Sequence, residues 1–343
     1  MGDPTPFAAQ PRPTQQDVAR RAGVSRALVS LVMRGGDHVA TATRDRVLKA
    51  ADELGYRPNA LARSLARRQS RAIGVLINDV SNPYFGGMYA CLAREAERSG
   101  LDLLVAPGLR TPRSEAGLLD TLLEHQVAGL LLLSPTIRES SLAAYCSTSP
   151  TVVIGREVSV SGVDVVTIDE ALGARLVVNH LAALGHERIA HITGGSDNRP
   201  ALDRAAAYRQ AMRDLGLTPD LVPGVFAPEG GRDGVRTLLQ RGELPTAIFA
   251  ANDLIAVGAI GALRSAGLRV PEDLSVVGYD DSQLASLDLV DLTSVHQPLE
   301  RFGQLAVELL IERMAGRRQG SRTERIAPTL VVRSTSGPAP DRS

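Results

Sequence analysis

The chain has 343 residues, 44% of them hydrophobic and 22% charged, which suffices for two or three packed domains and excludes a wholly disordered polypeptide. No run nears the roughly 18 consecutive apolar residues of a membrane span, and no basic stretch followed by an apolar block opens the sequence. Two cysteines, Cys91 and Cys146, are too few for a disulfide framework or a cysteine metal site and read as buried thiols. Formal charge is zero overall but sorted by position: residues 1–71 carry 13 Lys+Arg against 6 Asp+Glu, and the remainder 25 against 32. A basic head on an acidic body suggests a polyanion-binding head on a soluble regulator or enzyme, a solvated arginine-rich surface being the alternative. With neither a span nor a leader the chain reads as cytoplasmic, and neither a metal nor a cofactor is expected.

Residues 1–13, "MGDPTPFAAQPRP", lack periodicity and read as a tail. Thr14 opens a helix with Asp17 in its first turn; Val18, Ala19 and Ala22 supply the inner face, and Gly23 ends it. Ser25 caps a second helix running to about Arg34. A third starts near Thr41 or Thr43, turns Val47, Ala50, Ala51 and Leu54 inward, and stops at Gly55. On the second helix a 3.6-residue period sends Val29, Val32 and Met33 inward and Arg26, Ala27, Ser30, Leu31 and Arg34 outward. This is a helix-turn-helix pattern, whose second helix enters a DNA major groove. Arginine there can fork to guanine, and Ala27 or Leu31 can meet a thymine methyl. The alternative is a structural hairpin with solvated arginines.

The next stretch, "YRPNALARSLARRQS" (56–70), favours helix where most linkers avoid it. Asn59 can cap it, Ala62, Leu65 and Ala66 share a face, and Arg63, Arg67 and Arg68 flank that face, a layout suited to a minor-groove wedge. An amphipathic interdomain helix is the alternative. From Ile73 onward, "AIGVLI", "LDLLVA", "VAGLLLLS", "TVVIG", "RIAHITG", "TAIFAAN" and "LSVVGYD" are short apolar runs separated by helix-length spans. Such strands belong to parallel sheets covered on both faces, and the pattern runs twice, about 73–165 and 166–295. Two doubly wound lobes place the loops at their strand C-termini around a shared cleft. "TGGSDN" (193–198) lacks dinucleotide-loop spacing and reads as a turn, and His186 and His191 read as structural.

These motifs together carry a likeness. "DVARRAGVS", "VSLVM", "ADELGYRPN", "ARSLA", "NDVSNPYF", "LGHERIAHITG", "AIFAANDLIAVGA", "VPEDLSVVGYDD" and "TSVHQPLERFG" stand in order over about residues 14–336, and the chain resembles the LacI/GalR family of bacterial transcriptional repressors. The resemblance implies a small all-α helix-turn-helix head and an α/β two-lobed, periplasmic-binding-protein-like effector domain with two doubly wound parallel sheets. The implied divisions are a tail (1–13), the DNA-binding domain (14–58), a hinge helix (59–70), the effector and dimerisation domain (71–336) and a second tail (337–343). Within the effector domain the N-lobe is about 71–165 with 297–325, and the C-lobe about 166–295 with 326–336. It further implies a homodimer on palindromic double-stranded operator DNA, contacted through Thr14, Ser25, Arg26, Ala27, Ser30, Leu31, Arg34, Asn59, Ala62 and the wedge Leu65. Leu31 and Ala27 depart from residues common in the family. A small polar effector, first of all a sugar, is implied in a cleft at Asp79, Tyr84, Phe85, Arg156, Arg204, Phe226, Asn252 and Asp280. There Arg204 can fork to a hydroxyl pair or a carboxylate and the aromatics can stack on a ring. Asp79, Asn252 and Asp280 can instead be helix caps, and Phe226 plain core. Arg199 and Pro200 sit in a loop beside them.

Two other classes compete. A solute-binding protein of transport shares the lobes but expects a secretory leader and no basic head. An enzyme expects a nucleophile with its base, and no G-x-S-x-G, H-E-x-x-H or Walker pattern occurs. The end of the chain, "GPAPDRS", holds no apolar heptads, which favours a dimer over a tetramer.

Overall fold

The computed structural model describes residues 13–33, 35, 39–57, 70–108, 112–196, 198–317 and 320–341, of which 112–114 by backbone alone. The expected contacts Arg34, Asn59, Ala62 and Leu65, and residues 1–12, lie outside this set. The chain forms two compact units, Met1–Ser70 and Arg71–Ser343.

The first unit holds α1 (Gln15–Ala22), α2 (Arg26–Met33) and α3 (Thr41–Glu53). Thr14 and Asp17 make a reciprocal capping box, the Thr14 N–H donating to Asp17 Oδ2 at 2.9 Å. Gly23 closes α1 at φ 64°, a left-handed conformation that costs glycine little. Ser25 Oγ accepts from the Leu28 N–H at 3.2 Å and so starts α2. The three helices enclose Val18, Val29, Val32, Val47 and Tyr56, all buried. A forked ion pair from Arg21 to Glu53, 2.7 Å at its shorter arm, joins α1 to α3.

The second unit contains two six-stranded sheets. The first has strand order β11-β5-β4-β3-β1-β2, wholly parallel, from β1 (Ala72–Ile77), β2 (Asp102–Pro107), β3 (Leu130–Leu133), β4 (Thr151–Ile154), β5 (Val163–Ile168) and β11 (Thr323–Ile326). The second has order β12-β10-β9-β8-β6-β7, from β6 (Ile189–Ile192), β7 (Asp220–Val222), β8 (Ala247–Ala250), β9 (Ser275–Asp280), β10 (Ser294–His296) and β12 (Thr329–Val331). Here the edge pair β10–β12 is antiparallel, so this sheet is mixed rather than purely parallel. Each half repeats one doubly wound order, with its topological switch between the first and third strands.

The helices between them are α4 (Pro83–Arg98), α5 (Pro112–Glu124), α6 (Glu139–Cys146), α7 (Glu170–Ala183), α8 (Arg199–Asp214), α9 (Pro228–Gln240), α10 (Asp253–Ser265) and α11 (Leu299–Met314). The chain passes from sheet to sheet three times, at 168–170, 296–299 and 326–329. The first passage follows Ile168, not residue 165, because β5 runs through to Ile168, and Asp164 lies within it. It is fully buried and accepts a forked ion pair from Arg313 of α11, at 2.7 and 2.8 Å, along with the Arg322 N–H. A second correction concerns the end of the chain: Gly337 bonds to Ser275 Oγ and the Ala339 N–H to the Leu184 carbonyl, so residues up to at least 339 are seated on the second lobe, not a free tail.

His186 and His191 serve the core. His186 is held by Thr246, Ser275 and Gly337. His191 is wholly buried between Tyr208 and Phe249, with Nδ1 on the Phe249 carbonyl, and burial pushes its pKa down to about 3. An unfolded histidine titrates near 6.5, so the unfolded chain takes up the extra proton as pH falls below that value. The contribution of neutral His191 is therefore complete above pH 6.5 and drains away towards pH 3 at about 1.4 kcal/mol per unit. Denaturant unfolding of His191→Gln between pH 4 and 7 is expected to show a flatter loss of stability on acidification than the wild type. Parallel slopes would refute the assignment.

Candidate functional site

A cavity of about 550 Å³ of atom-free space, partly open to solvent, lies where the strand C-termini of the two sheets face each other. Strand ends supply Asn78 and Asp79 after β1, Ser134 after β3, Gly155 after β4, Asn252 after β8 and Asp280 at the end of β9. Helix starts supply Asn82, Tyr84, Phe85, Glu170, Asn198, Pro200 and Arg204, and Gln297 enters from the second passage between lobes. Asn82, Asn198 and Asn252 cap α4, α8 and α10, so three positive helix ends open near the cavity.

Seven of the eight residues expected in the cleft line this cavity: Asp79, Tyr84, Phe85, Arg204, Phe226, Asn252 and Asp280. Arg156 does not. It sits in an adjoining recess, half-buried, its Nη2 donating to the Ile137 carbonyl at 2.8 Å. Arg199 and Pro200 are the first residues of α8 rather than loop, because Asn198 caps the helix immediately before them.

The role expected of Arg204 also changes. Its fork is already filled: Nε and Nη2 donate to the two oxygens of Glu170 at 2.9 and 2.8 Å, Nη1 bonds to the Ala251 carbonyl, and Cζ stands 3.4 Å above the Tyr279 ring. Burial alone would lower the Arg204 pKa, but the charge of Glu170, with Tyr279 and Asp280, raises it, so the cation is permanent and internally matched. It is a fixed wall of the site, not an open clamp for an acid.

Asn252 is a helix cap that also lines the cavity. Its Oδ1 accepts from the Ile255 N–H at 2.9 Å as the α10 cap, while Nδ2, in a residue 1% exposed, has no hydrogen-bond partner among the described residues. Across the cavity Asn78 Oδ1, in a side chain 2% exposed, is likewise unpartnered. A buried amide edge without a partner costs about 1–3 kcal/mol, so this unmatched donor and acceptor are open to a ligand or to water. Asp79 is not the helix cap; Asn82 takes that place, and Asp79 Oδ1 holds Ser81.

Asp280 is not a cap either. It lies at φ 105°, outside the regions L-residues favour, and is 7% exposed. Gln297 Nε2 donates to its Oδ1 at 2.8 Å, and Tyr84 Oη donates to Gln297 Oε1 at 3.2 Å, a buried chain from one lobe to the other. Burial first, and the charge of neighbouring Asp253 second, raise the Asp280 pKa well above the ordinary carboxyl range. Asp253 is itself held by Ser282 and Ser294 and pushed up to about 6 by burial.

Phe226 rests against the second lobe's core and also lines the cavity. Gly194 is what admits it: a Cβ there would fall 2.3 Å from the ring. Gly194→Ala is therefore expected to displace Phe226 and weaken effector binding by about tenfold, read by calorimetric titration. Unchanged affinity would take the ring out of the binding surface.

On the head, Thr14, Ser25, Arg26 and Ala27 are exposed and Ser30 and Leu31 part-exposed, while Val29 and Val32 are buried.

The chain was then compared with known proteins. Residues 14–59 match the model of bacterial regulatory proteins of the lacI family, and residues 178–336 a periplasmic binding protein-like domain. The ribose operon repressor of Escherichia coli (strain K12) is 37% identical over 328 residues, covering 94% of this chain and 99% of that one. The chain belongs to the LacI family. It is a ligand-responsive, DNA-binding transcriptional repressor. The family's HTH-type transcriptional repressor PurR of Haemophilus influenzae (strain PittEE) is 35% identical over 333 residues, covering 94% of this chain and 98% of its own. Among solved structures, the Lac repressor dimer bound to operator and the anti-inducer ONPF superposes with a TM-score of 0.84 at 30% identity, over 95% of this chain and all of that one. A transcriptional regulator CelR–cellobiose complex gives 0.72 at 34% identity, over 94% and 100%. No helix among the described residues is long and apolar enough to cross a membrane, and no described cluster of His, Cys, Asp or Glu could hold a metal ion.

Proposed function

We propose that this repressor works in the cytoplasm, without enzymatic activity, as a homodimer on a palindromic operator, and that a neutral, hydroxyl-rich metabolite of the sugar class in the cleft sets its DNA affinity. One observation carries the choice of ligand. Among the described residues lining the cavity the one arginine, Arg204, is matched by Glu170, so a small acid meets no open cation there. Hydroxyls, by contrast, can accept from Asn252 Nδ2 and donate to Asn78 Oδ1 in one step. The relatives support this class: they include ribose operon repressors and a regulator bound to cellobiose.

In this reading α2 enters the major groove with Arg26, Ala27, Ser30 and Leu31, Thr14 and Ser25 lie near the phosphates, and Asn59, Ala62 and Leu65 act in the hinge. Phosphate contacts set register, and the Arg26 fork to a base edge sets sequence. The ligand acts only so far as it binds the DNA-competent and released states unequally. The test is selection of bound duplexes from a random library at a fixed near-physiological salt. A recovered palindrome is expected, and Arg26→Ala should cost about 1–3 kcal/mol of affinity for it while relaxing one base position. Unrelated sequences, bound only at low salt with and without added metabolite pools, would refute the operator reading.

A further inference from the structure

The buried charges around the end of β9 do not balance. Four carboxyls gather there: Glu170 at the start of α7, Asp253 at the start of α10, and the successive Asp280 and Asp281 where β9 ends. The cations facing them are Arg204 of α8, Arg333 beyond β12 and, when protonated, His296 of β10. Each is already engaged. Arg204 forks to Glu170 at 2.9 and 2.8 Å, Arg333 Nη2 stands 2.7 Å from Asp281 Oδ1, and His296 Nδ1 lies 2.9 Å from Asp281 Oδ2. Asp253 and Asp280 are left, both buried and neither in an ion pair among the described residues. The nearby phenols of Tyr84 and Tyr279 are raised by burial and stay neutral.

The two remaining carboxyls share one turn. Asp253 Oδ2 accepts from the Ser282 N–H and from Ser282 Oγ, both at 2.7 Å, and Oδ1 accepts from Ser294 Oγ at 2.6 Å. A Cβ on Gly278 would fall 2.5 Å from Asp253 Oδ1, so Asp253 lies against the chain on both sides of Asp280. Between those contacts φ is positive at two successive residues, 105° at Asp280 and 49° at Asp281. Two carboxyls this close, away from water and without a cation, do not both ionise. Their partners decide which one keeps the proton. Three donors point at Asp253, one of them a backbone N–H that can only donate, and Ser294 Oγ, which accepts from the Asp281 N–H at 3.1 Å, has its own proton free for Asp253. Asp280 receives one donor, Gln297 Nε2 on Oδ1 at 2.8 Å, and its Oδ2 has none among the described residues. Donors favour the ionised form, so the charge settles on Asp253 and the proton on Asp280. Burial and the charge of Asp253 act in the same sense on Asp280.

We propose that Asp253 and Asp280 hold a single proton between them at neutral pH, that it resides on Asp280, and that this wall of the cavity is therefore an acid O–H donor rather than a carboxylate. Asp253 does not line the cavity. It is a positioning residue that carries the charge of the pair and clamps the turn presenting Asp280. The consequence for the effector is the sense of one hydrogen bond: an acid O–H meets an acceptor, such as a ring oxygen, a glycosidic oxygen or a carbonyl. That consequence rests on the effector reading above. The protonation itself is measured without any effector, so the two readings fail separately.

The test is urea unfolding of the full-length wild type, Asp280→Asn and Asp253→Asn between about pH 6 and 8. An unfolded aspartate ionises near pH 3.9, so in this window only the folded chain holds the Asp280 proton, and each pH unit upward favours unfolding about tenfold. Asp280→Asn, a neutral mimic with no proton to lose, is expected to be at least as stable as the wild type and to lack that rise. Asp253→Asn removes the ionised acceptor of three donors and is expected to unfold about tenfold or more readily. Infrared spectra of the wild type at neutral pH give a reading that needs no variant: a protonated-carboxyl C=O band that shifts on isotopic labelling of the aspartate carboxyls, and that Asp280→Asn abolishes. Asp280→Gly, which suits the backbone there, repeats both readings should Asp280→Asn not fold. Equal pH slopes in the wild type and the position-280 variant, or the absence of an aspartate acid band, mean that both carboxyls are ionised and overturn the proposal. A slope retained in Asp280→Asn but lost in a stable Asp253→Asn puts the proton on Asp253 and overturns it as well.

Discussion

Arg204→Ala is expected to destabilise the effector domain by about 3–5 kcal/mol and to abolish the response to effector. The side chain is 3% exposed and anchors three things at once: the Glu170 carboxylate, the Ala251 carbonyl and the face of Tyr279. Truncation leaves Glu170, with a side chain only 14% exposed, as a charge without its partner at the edge of the cavity. The loss comes chiefly from that uncompensated charge, not from the pair's own worth. Removing both charges should therefore be far milder, and Arg204→Met combined with Glu170→Met is expected to recover most of the stability yet none of the effector response. Urea unfolding of the single and double variants checks this as a thermodynamic cycle. A single variant within about 1 kcal/mol of wild type, or a double variant as unstable as the single, would show that the pair is not what holds this wall.

The same pair marks what the sequence could and could not reveal. Strands β1, β3, β4, β6, β8 and β9 were legible because a strand covered on both faces is a continuous apolar run, and such runs stood in the expected order. Strands β7, β10 and β11 have no such run. Asp220–Val222 and Thr323–Ile326 pair at sheet edges, and Ser294–His296 is three residues long, so only their neighbours make them strands. Strand β5 carries Asp164 inside its apolar run, and the partner that lets this carboxylate be buried, Arg313, lies 149 residues away. The cavity shows the same limit. Residues directly after apolar runs, such as Asn252 and Asp280, could be picked out by position. Asn78, Asn82, Ser134 and Asn198 were missed because a short polar residue at a strand end or helix start reads as an ordinary cap. Glu170 and Gln297 were missed because their meaning comes from partners far along the chain, Arg204 for one and Tyr84 with Asp280 for the other. Arg204 was assigned to the right place with the wrong task for the same reason.

Asp280→Gly is expected to abolish the effector response while leaving the effector domain as stable as wild type, or more so. Two costs are concentrated at this residue. Its φ of 105° is a conformation that glycine adopts freely and an L-side chain does not, worth on the order of 1–3 kcal/mol. Its carboxyl is also buried beside Asp253, which raises the pKa of Asp280 and makes its ionised form expensive. A purely structural residue would not be expected to carry both. What the aspartate supplies in return is a polar group fixed in the cavity by Gln297 and joined through it to Tyr84 of the other lobe. Glycine relieves the strain and the burial cost, forfeits one hydrogen bond worth about 1 kcal/mol, and removes a polar group that lines the cavity. Operator affinity without effector should stay within about threefold of wild type, since nothing on the head changes, while effector should no longer alter it. The decisive comparison pairs urea unfolding of the variant with operator titrations in the presence and absence of effector. A loss of more than about 1 kcal/mol of stability would make Asp280 a structural residue, and a retained response would remove it from the binding site.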